Sequence, residues 1–514
     1  MMRSLLAGVL ALRLLAGCGA GPAVVAPPVA APASPVVRVN ILQINDVYEV
    51  APQAGAPGGL ARVAALRDSL LRETPSTFTV IAGDFISPSA LGTARVDGER
   101  LAGRQMVDML NAVGVNYATF GNHEFDLGYD VLRRRMEEAG FTWISSNVTD
   151  TLGEALSVAR ASEVIAVPGP AGVFRIGLVG ATLAENDPDY AAFAPPIEAL
   201  REVVGRLRPR VDAVIAITHV DYQEDLRIAT GVEGIDLIIG GHEHENVATS
   251  LHRNGRMTRV AKADANALSA YVHRLAFDTR TSKLTITSEL VVLGDDRPEH
   301  AGVAARAASW QERAYAGFRQ DGFEPAALVG CSTEALDGRE SAVRNGPTNL
   351  TRLIVEAMQS EVPDARLALF NSGSIRVDDV LQPGRLTQYD VLRTLPYQGR
   401  VLAVDMPGRL LISILQRGAF LRGTGGYLQW TDNVSEAASR WMLDGEPITL
   451  DRTYRVAVND YLANGLQNGL ELFDIKVAGD DQAHLVATYR DLRNLLVDAV
   501  QMAYPLNAEG DCTP

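Results

Sequence analysis

From residue 37 to about residue 300, short apolar runs alternate with helical patterns, and several runs stop at a polar tip. Val37, Val39, Ile41 and Ile44 alternate into ILQINDVYEV (41–50), where the apolar run gives way to Asn45-Asp46-Val47-Tyr48. FTVIAGD, FRIGLVGAT, VDAVIAITHV and IDLIIGGHEH repeat the arrangement, interleaved with stretches such as GRQMVDMLNAVG. This alternation predicts an α/β or layered αββα domain over 37–300. Polar residues just beyond strand ends, on one edge of a sheet, are where such folds gather ligands. Residues 301–325 have helix-forming composition and a Gly/Pro exit, which predicts a helical connector, and a second, smaller α/β domain follows over 326–514. No internal repeat is visible.

Composition fits this plan. With 514 residues and 47% hydrophobic content, the chain can bury large cores in two to four domains. A formal charge of −15 argues against a nucleic-acid polymer as partner, because a polyanion needs a basic face. If the substrate carries phosphate, local metals or arginines must supply the positive charge.

The first residues, MMRSLLAGVLALRLLAGCGA, have signal-peptide layout: an early Arg3, an apolar stretch, then small residues. The stretch is too short and too interrupted to cross a bilayer. Leu15-Ala16-Gly17-Cys18 resembles the bacterial lipobox, although Arg13 interrupts the apolar stretch. The expectation is a signal peptide over 1–18, lipidation at Cys18, and an Ala/Pro-rich tether over 19–36. The further expectation is a monomer attached to a membrane by its N-terminal lipid, in the periplasm or on the surface of a bacterial cell envelope. Cys331 and Cys512 then remain, either as one disulfide in that oxidising compartment or as two free thiols.

Five short segments carry candidate chemistry: NDVY with Asp46, Gly83-Asp84, GNHEFD at 121–126, Thr218-His219 and GGHEH at 240–244. Singly each is weak, since a Gly-Asp after a strand is more often a plain turn. Together they gather carboxylate and imidazole, the donors that divalent cations take, and a carboxylate can bridge two metals. Glycines before Asp84, Asn122 and His242 are expected to let the backbone turn sharply there. Four of the eight histidines fall in these segments; His252, His273, His300 and His484 are read as surface or satisfied core residues.

The ordered set resembles the calcineurin-like metallophosphoesterases. GNHEFD with the C-terminal motifs below is similar to the bacterial 5′-nucleotidase family, including the UDP-sugar hydrolases, over nearly all of 37–475. The resemblance implies a four-layer αββα domain, a substrate-binding 5′-nucleotidase C-terminal domain, and two divalent ions such as Zn, Mn or Fe. It also implies that Asp46, Asp84 and His244 hold one ion, and that Asp84, Asn122, His219 and His242 hold the other. His123, oriented by Asp126, would stabilise or protonate the departing oxygen while a metal-bridging hydroxide attacks phosphorus in line. The family has His where this chain has Tyr48, so Tyr48 either ligates the first ion or packs and hydrogen-bonds beside it.

In the second domain, GRESAVRNGPTNL, FNSGSIR, LPYQG and VNDYLANGLQNG supply arginines and tyrosines. Guanidinium groups suit phosphate and aromatic rings can sandwich a base, yet arginines are usually solvated and tyrosines usually packing residues. By resemblance, Arg344, Asn371 and Arg376 match substrate positions, Arg339 falls one residue from its expected place, and Tyr397 and Tyr461 match two stacking aromatics. Gln398-Gly399 replaces the family's Gly-Asn and removes an amide that would read the base. The function expected is release of phosphate from nucleotides. The alternatives are a cyclic-nucleotide phosphodiesterase or other ester hydrolase on the same site, or a surface lipoprotein that binds nucleotide or metal with a decayed first metal site.

Overall fold

The computed structural model describes residues 35–512 apart from 53–56, 170, 187, 254 and 474–482. The expected signal peptide, Cys18 and almost all of the tether therefore lie outside the described residues. Val36, assigned above to the tether, opens the first strand, Val36–Ile44, and pairs with Asp278.

Two six-stranded sheets build the first domain. In one, Val36–Ile44 lies parallel to Thr77–Ala82, which lies parallel to Tyr117–Thr119; in the other, Ala213–His219 lies parallel to Gly172–Thr182 and Leu237–Gly240. The inner faces meet in one apolar core: Val39, Ile41 and Val80 pack with Phe174, Ile176, Ile215 and Ile239. These strands are buried on both faces, so their sequences read as nearly continuous apolar runs. Helices Leu60–Glu73 and Arg104–Val113 cover one outer face, and helices Pro196–Leu207 and Tyr222–Gly231 cover the other. This is the four-layer αββα arrangement expected.

The segment expected as a connector forms the helix Ala301–Gln320 and is docked rather than free. Val303, Ala307, Trp310, Ala314 and Phe318 are buried in the outer core of the first domain. The indole N–H of Trp310 donates to Asp108 Oδ2 at 2.7 Å.

The second domain centres on a five-stranded sheet in the order Leu428–Trp430, Leu367–Asn371, Thr453–Asn459, Arg400–Pro407, His484–Asp491. Helices Asn349–Glu361 and Leu492–Ala503 contribute to the core on one side of it, and helix Gly408–Phe420 to the core on the other. A disulfide joins Cys331 to Cys512, with Cα atoms 5.4 Å apart. No described helix is long and apolar enough to cross a membrane.

Candidate active site

Parallel pairing sends the strand ends to one edge, and the five sequence segments meet there. Asp46 follows Val36–Ile44, Asp84 follows Thr77–Ala82, Asn122 and His123 follow Tyr117–Thr119, His219 ends its strand, and His242 and His244 follow Leu237–Gly240. Asp46, Asp84, His242 and His244 all take left-handed backbone angles, with φ of 53°, 54°, 92° and 61°. Such angles are uncommon for residues with a Cβ and collect at functional sites.

The glycines act only partly as expected. Gly83 has φ 77°, the sharp turn predicted. Gly121 and Gly241 instead make room. A Cβ on Gly121 would lie 2.6 Å from both Asp84 Cγ and Asp84 N, and one on Gly241 would lie 2.8 Å from His219 Nδ1 and 2.9 Å from Asp46 Oδ2.

At the centre, Asp46, Asp84 and His219 are buried, with one donor atom of each within 4.8 Å of the others. His219 Nε2 lies 3.2 Å from Asp84 Oδ2 and 3.8 Å from Asp46 Oδ1. Its Nδ1 lies 2.8 Å from the Ala82 carbonyl across the two sheets, so Nδ1–H donates there and Nε2 faces the carboxylates. Burial pulls the His219 pKa down, but the facing Asp84 and Asp46 outweigh it and raise it to about 9. Burial alone would raise Asp84, yet the neighbouring His219 and His123 hold it far below the usual carboxylate range.

His244 Nε2 lies 3.5 Å from Asp46 Oδ1 and 3.0 Å from the Tyr48 oxygen. Tyr48 donates its O–H to Asp84 Oδ2 at 3.0 Å, and burial followed by the charges of Asp84 and Asp46 pushes its pKa well above 10. The phenol is therefore neutral here. His123 Nδ1 meets Asp126 Oδ2 at 2.9 Å, and Asn186 Nδ2 braces Asp126 Oδ1 at 2.7 Å. Burial lowers the His123 pKa, but Asp126 and Asp84 raise it on balance.

Within this cluster, three buried atoms lack a hydrogen-bond partner among the described residues: Asp46 Oδ1, Asn122 Oδ1 and His219 Nε2. All three belong to the ligand set inferred from the motifs. Unpaired buried polar atoms are costly and scarce, so a cluster of them on carboxylate, amide and imidazole fits divalent cations.

The second domain closes over this edge. The cleft, about 1690 Å³ in volume, is lined by Asp84, Asn122, His123, His242 and His244 on one side and by Arg339, Arg344, Arg376, Tyr397 and Tyr461 on the other. Arg376 Nη2 lies 3.1 Å from His123 Nδ1. That nitrogen's proton goes to Asp126, so Arg376 gains no acceptor on the imidazole, and its buried Nε also has no partner. Tyr397 and Tyr461 are about half exposed. Arg339 is tied to Asp337 at 2.7 Å on the rim.

Asn371 lines the cleft. Its amide is spent within the wall: Nδ2 donates to Gln467 at 2.8 Å, and Oδ1 accepts from Ser374 at 2.8 Å and Asn459 at 3.0 Å.

Two residues escaped the sequence reading. Glu124, inside GNHEFD, is fully buried and accepts backbone N–H groups from Asp84, Phe85, Ile86 and Gly121, pinning the Asp84 turn to the GNHEFD turn. Burial and the Asp84 charge push its carboxyl up to about 7 against the pull of those donors. Asp378, of the second domain, hydrogen-bonds His244 Nδ1. Of the histidines outside the segments, His273 is buried and paired with Gln43 and Ser288, His300 caps the helix Ala301–Gln320, and His252 and His484 are exposed.

Residues 39–246 match the family model for calcineurin-like phosphoesterases, and residues 329–474 match that for the 5′-nucleotidase C-terminal domain. The chain is a calcineurin-like phosphoesterase joined to a 5′-nucleotidase C-terminal domain. It is thereby a metal-dependent phosphoester hydrolase. The trifunctional nucleotide phosphoesterase protein YfkN of Bacillus subtilis is 26% identical over 87% of this chain, which spans about a third (33%) of that protein's length. The 5′-nucleotidase of Bos taurus is 24% identical, covering 94% of this chain and 93% of that protein. The crystal structure of a 5′-nucleotidase precursor from Thermus thermophilus superposes with a TM-score of 0.73 at 21% identity, over 91% of this chain and 97% of that one. That last likeness concerns the fold.

Proposed function

We propose that this phosphoesterase hydrolyses nucleotide phosphate monoesters at a two-ion centre, with Asp46, Asp84 and His244 holding one divalent ion. Asp84, Asn122, His219 and His242 would hold the other, with Asp84 shared. The observation that carries the reading is the trio of unpartnered buried atoms, Asp46 Oδ1, Asn122 Oδ1 and His219 Nε2, clustered with Asp84, which with Asn122 lines a cleft that also holds Arg339, Arg344 and Arg376. Bound there, the ions would neutralise phosphoryl charge and lower the pKa of water.

The side chains divide the remaining work. Tyr48, which donates its O–H to Asp84 Oδ2, would stand beside the first ion. His123, held by Asp126 at 2.9 Å, would give a proton to the leaving oxygen. Arg376, with Arg344 and Arg339 nearer the rim, would take the substrate's phosphate oxygens, since a planar guanidinium forks onto such groups. Tyr397 and Tyr461 offer ring faces to a base. Export and anchoring through Cys18 complete the reading, supported by the N-terminal sequence and by a disulfide suited to an oxidising envelope.

The test is metal analysis of purified protein together with phosphate release from AMP, UDP-glucose, 2′,3′-cyclic AMP and an aryl phosphate, with Asp84→Ala as the inactive control. Metal-dependent release from AMP is expected. Turnover of only the cyclic nucleotide would replace this reading with a phosphodiesterase, and metal or nucleotide binding without hydrolysis would leave a binding protein.

A further inference from the structure

His244 is the one candidate ligand whose second ring nitrogen is held from outside its own domain. His219 anchors Nδ1 on Ala82 of the first domain, whereas the Nδ1 of His244 hydrogen-bonds Oδ2 of Asp378, 134 residues further along the chain. Asp378 is itself braced. Its Oδ1 accepts the Glu340 N–H at 2.6 Å, and its backbone takes the left-handed φ of 35°. It lies two residues beyond Arg376, whose guanidinium meets His123, so one short segment of the second domain touches both sides of the first domain's cluster. The contact is reinforced at a distance: Tyr389 and Arg393 of the second domain reach Glu49 of the first, at 3.0 and 3.3 Å.

A histidine that binds a cation through one nitrogen needs its other N–H held, because that bond fixes the tautomer, turns the ring and raises ligand basicity. With Asp378 taking the Nδ1 proton, Nε2 is aimed at Asp46 Oδ1 and the Tyr48 oxygen, inside the acidic cluster. We propose that Asp378 is a positioning residue for His244, so that the first ion's site is complete only when the C-terminal domain is docked on the phosphoesterase domain. The second ion's ligands, Asn122, His219 and His242, have no such dependence: their partners, Glu185, Ala82 and Asp221, come from the first domain. This inference rests on the two-ion reading above.

The experiment uses the full chain, stripped with chelator and titrated with Mn²⁺ by calorimetry, as wild type, Asp378→Ala, Asp378→Asn and Asp84→Ala. The wild type is expected to take up two ions. Asp378→Ala is expected to bind one of them about 10–100-fold more weakly and the other unchanged. Asp378→Asn, neutral and of the same size, should lose affinity at the same site and carries the test if the alanine variant does not fold. Thermal midpoints in chelator should match wild type for both, while the Mn²⁺-induced rise in midpoint shrinks, a pattern that general damage to the fold would not give. Wild-type affinity at both sites in both variants overturns the inference and leaves the proposed function standing. A wild type that takes up no metal, like the Asp84→Ala control, overturns both.

Discussion

Replacing Gly121 with alanine tests the close packing at the metal cluster most directly. The added Cβ would lie 2.6 Å from Asp84 Cγ and from Asp84 N, whereas carbon atoms settle at about 3.5–4.0 Å. Opening that gap moves the Asp84 carboxylate, the GNHEFD turn, or both, by about 1 Å. Glu124 resists such a shift, because its carboxylate accepts N–H groups from both segments, Asp84 on one and Gly121 on the other. Overpacking of this kind costs about 1–3 kcal/mol of stability, and a 1 Å misplacement at a reacting centre costs about a hundredfold in rate. Gly128, seven residues on, is the control, since a Cβ there meets nothing within 4 Å. Gly121→Ala should lower kcat/KM for phosphate release about a hundredfold or more and reduce bound metal. Gly128→Ala should keep wild-type activity and metal content, with stability changed by about 1 kcal/mol or less. Wild-type metal content and kcat/KM within threefold for Gly121→Ala would refute the argument that these glycines exist to make room for ligands.

Other positions give sharper single readouts. Asp225 is buried 3.1 Å from Lys262 Nζ, and burial outweighs that cation to raise its pKa from 3.8 to about 6; the fold thus favours the protonated acid. Its contribution to stability is full below 3.8 and is lost as pH rises through about 6, a swing of about 3 kcal/mol. Asp225→Asn should remove that swing from urea midpoints measured between pH 4.5 and 7, and an identical pH profile in the variant would contradict it. Joining Cys331 to Cys512 closes a loop of 181 residues, so the double serine variant should unfold with a loss of about 2–5 kcal/mol in its second domain; an unchanged calorimetric transition would count against this. Arg376→Ala should lower kcat/KM about 10–100-fold by removing charge-assisted bonds to phosphate, while leaving Mn²⁺ binding intact; a parallel loss of metal would show that its role is structural.

The legible parts of the site were those written into single segments. Each inferred first-domain ligand sits at or just after the end of an apolar run, and parallel pairing carries such ends to one edge, so Asp46, Asp84, His219 and His242 could be named before any contact was known. Glu124 stood in the middle of a quoted motif and passed unnoticed, because its task is to collect four backbone N–H groups from two turns, and a glutamate carries no local mark of that. Asp378 was less accessible still: its partner is fixed by how two domains dock, over a separation of 134 residues. The segment 301–325 advertised a helix through its composition. The burial of Trp310 and Phe318 against the first domain depends on a neighbouring surface that periodicity alone does not describe. Gly121 and Gly241 looked like hinges for the chain and proved to be empty space kept for carboxylate and imidazole.

The spent amide of Asn371 bears on selectivity. Discrimination by a site built to hydrogen-bond its substrate can reach about 10⁴–10⁵, because a wrong partner strands buried donors and acceptors; apolar and stacking contacts separate similar ligands only about 10–200-fold. Asn371, Ser374, Asn459 and Gln467 hydrogen-bond one another along the cleft wall, with Asn459 Oδ1 left unpaired among the described residues. The arginines, Tyr397 and Tyr461 share the lining with further polar side chains, among them Gln398, Asn464 and Asn468. With its amide engaged in the wall, Asn371 serves the cleft as a brace for Ser374 and Asn459 rather than as a free reader of the ligand.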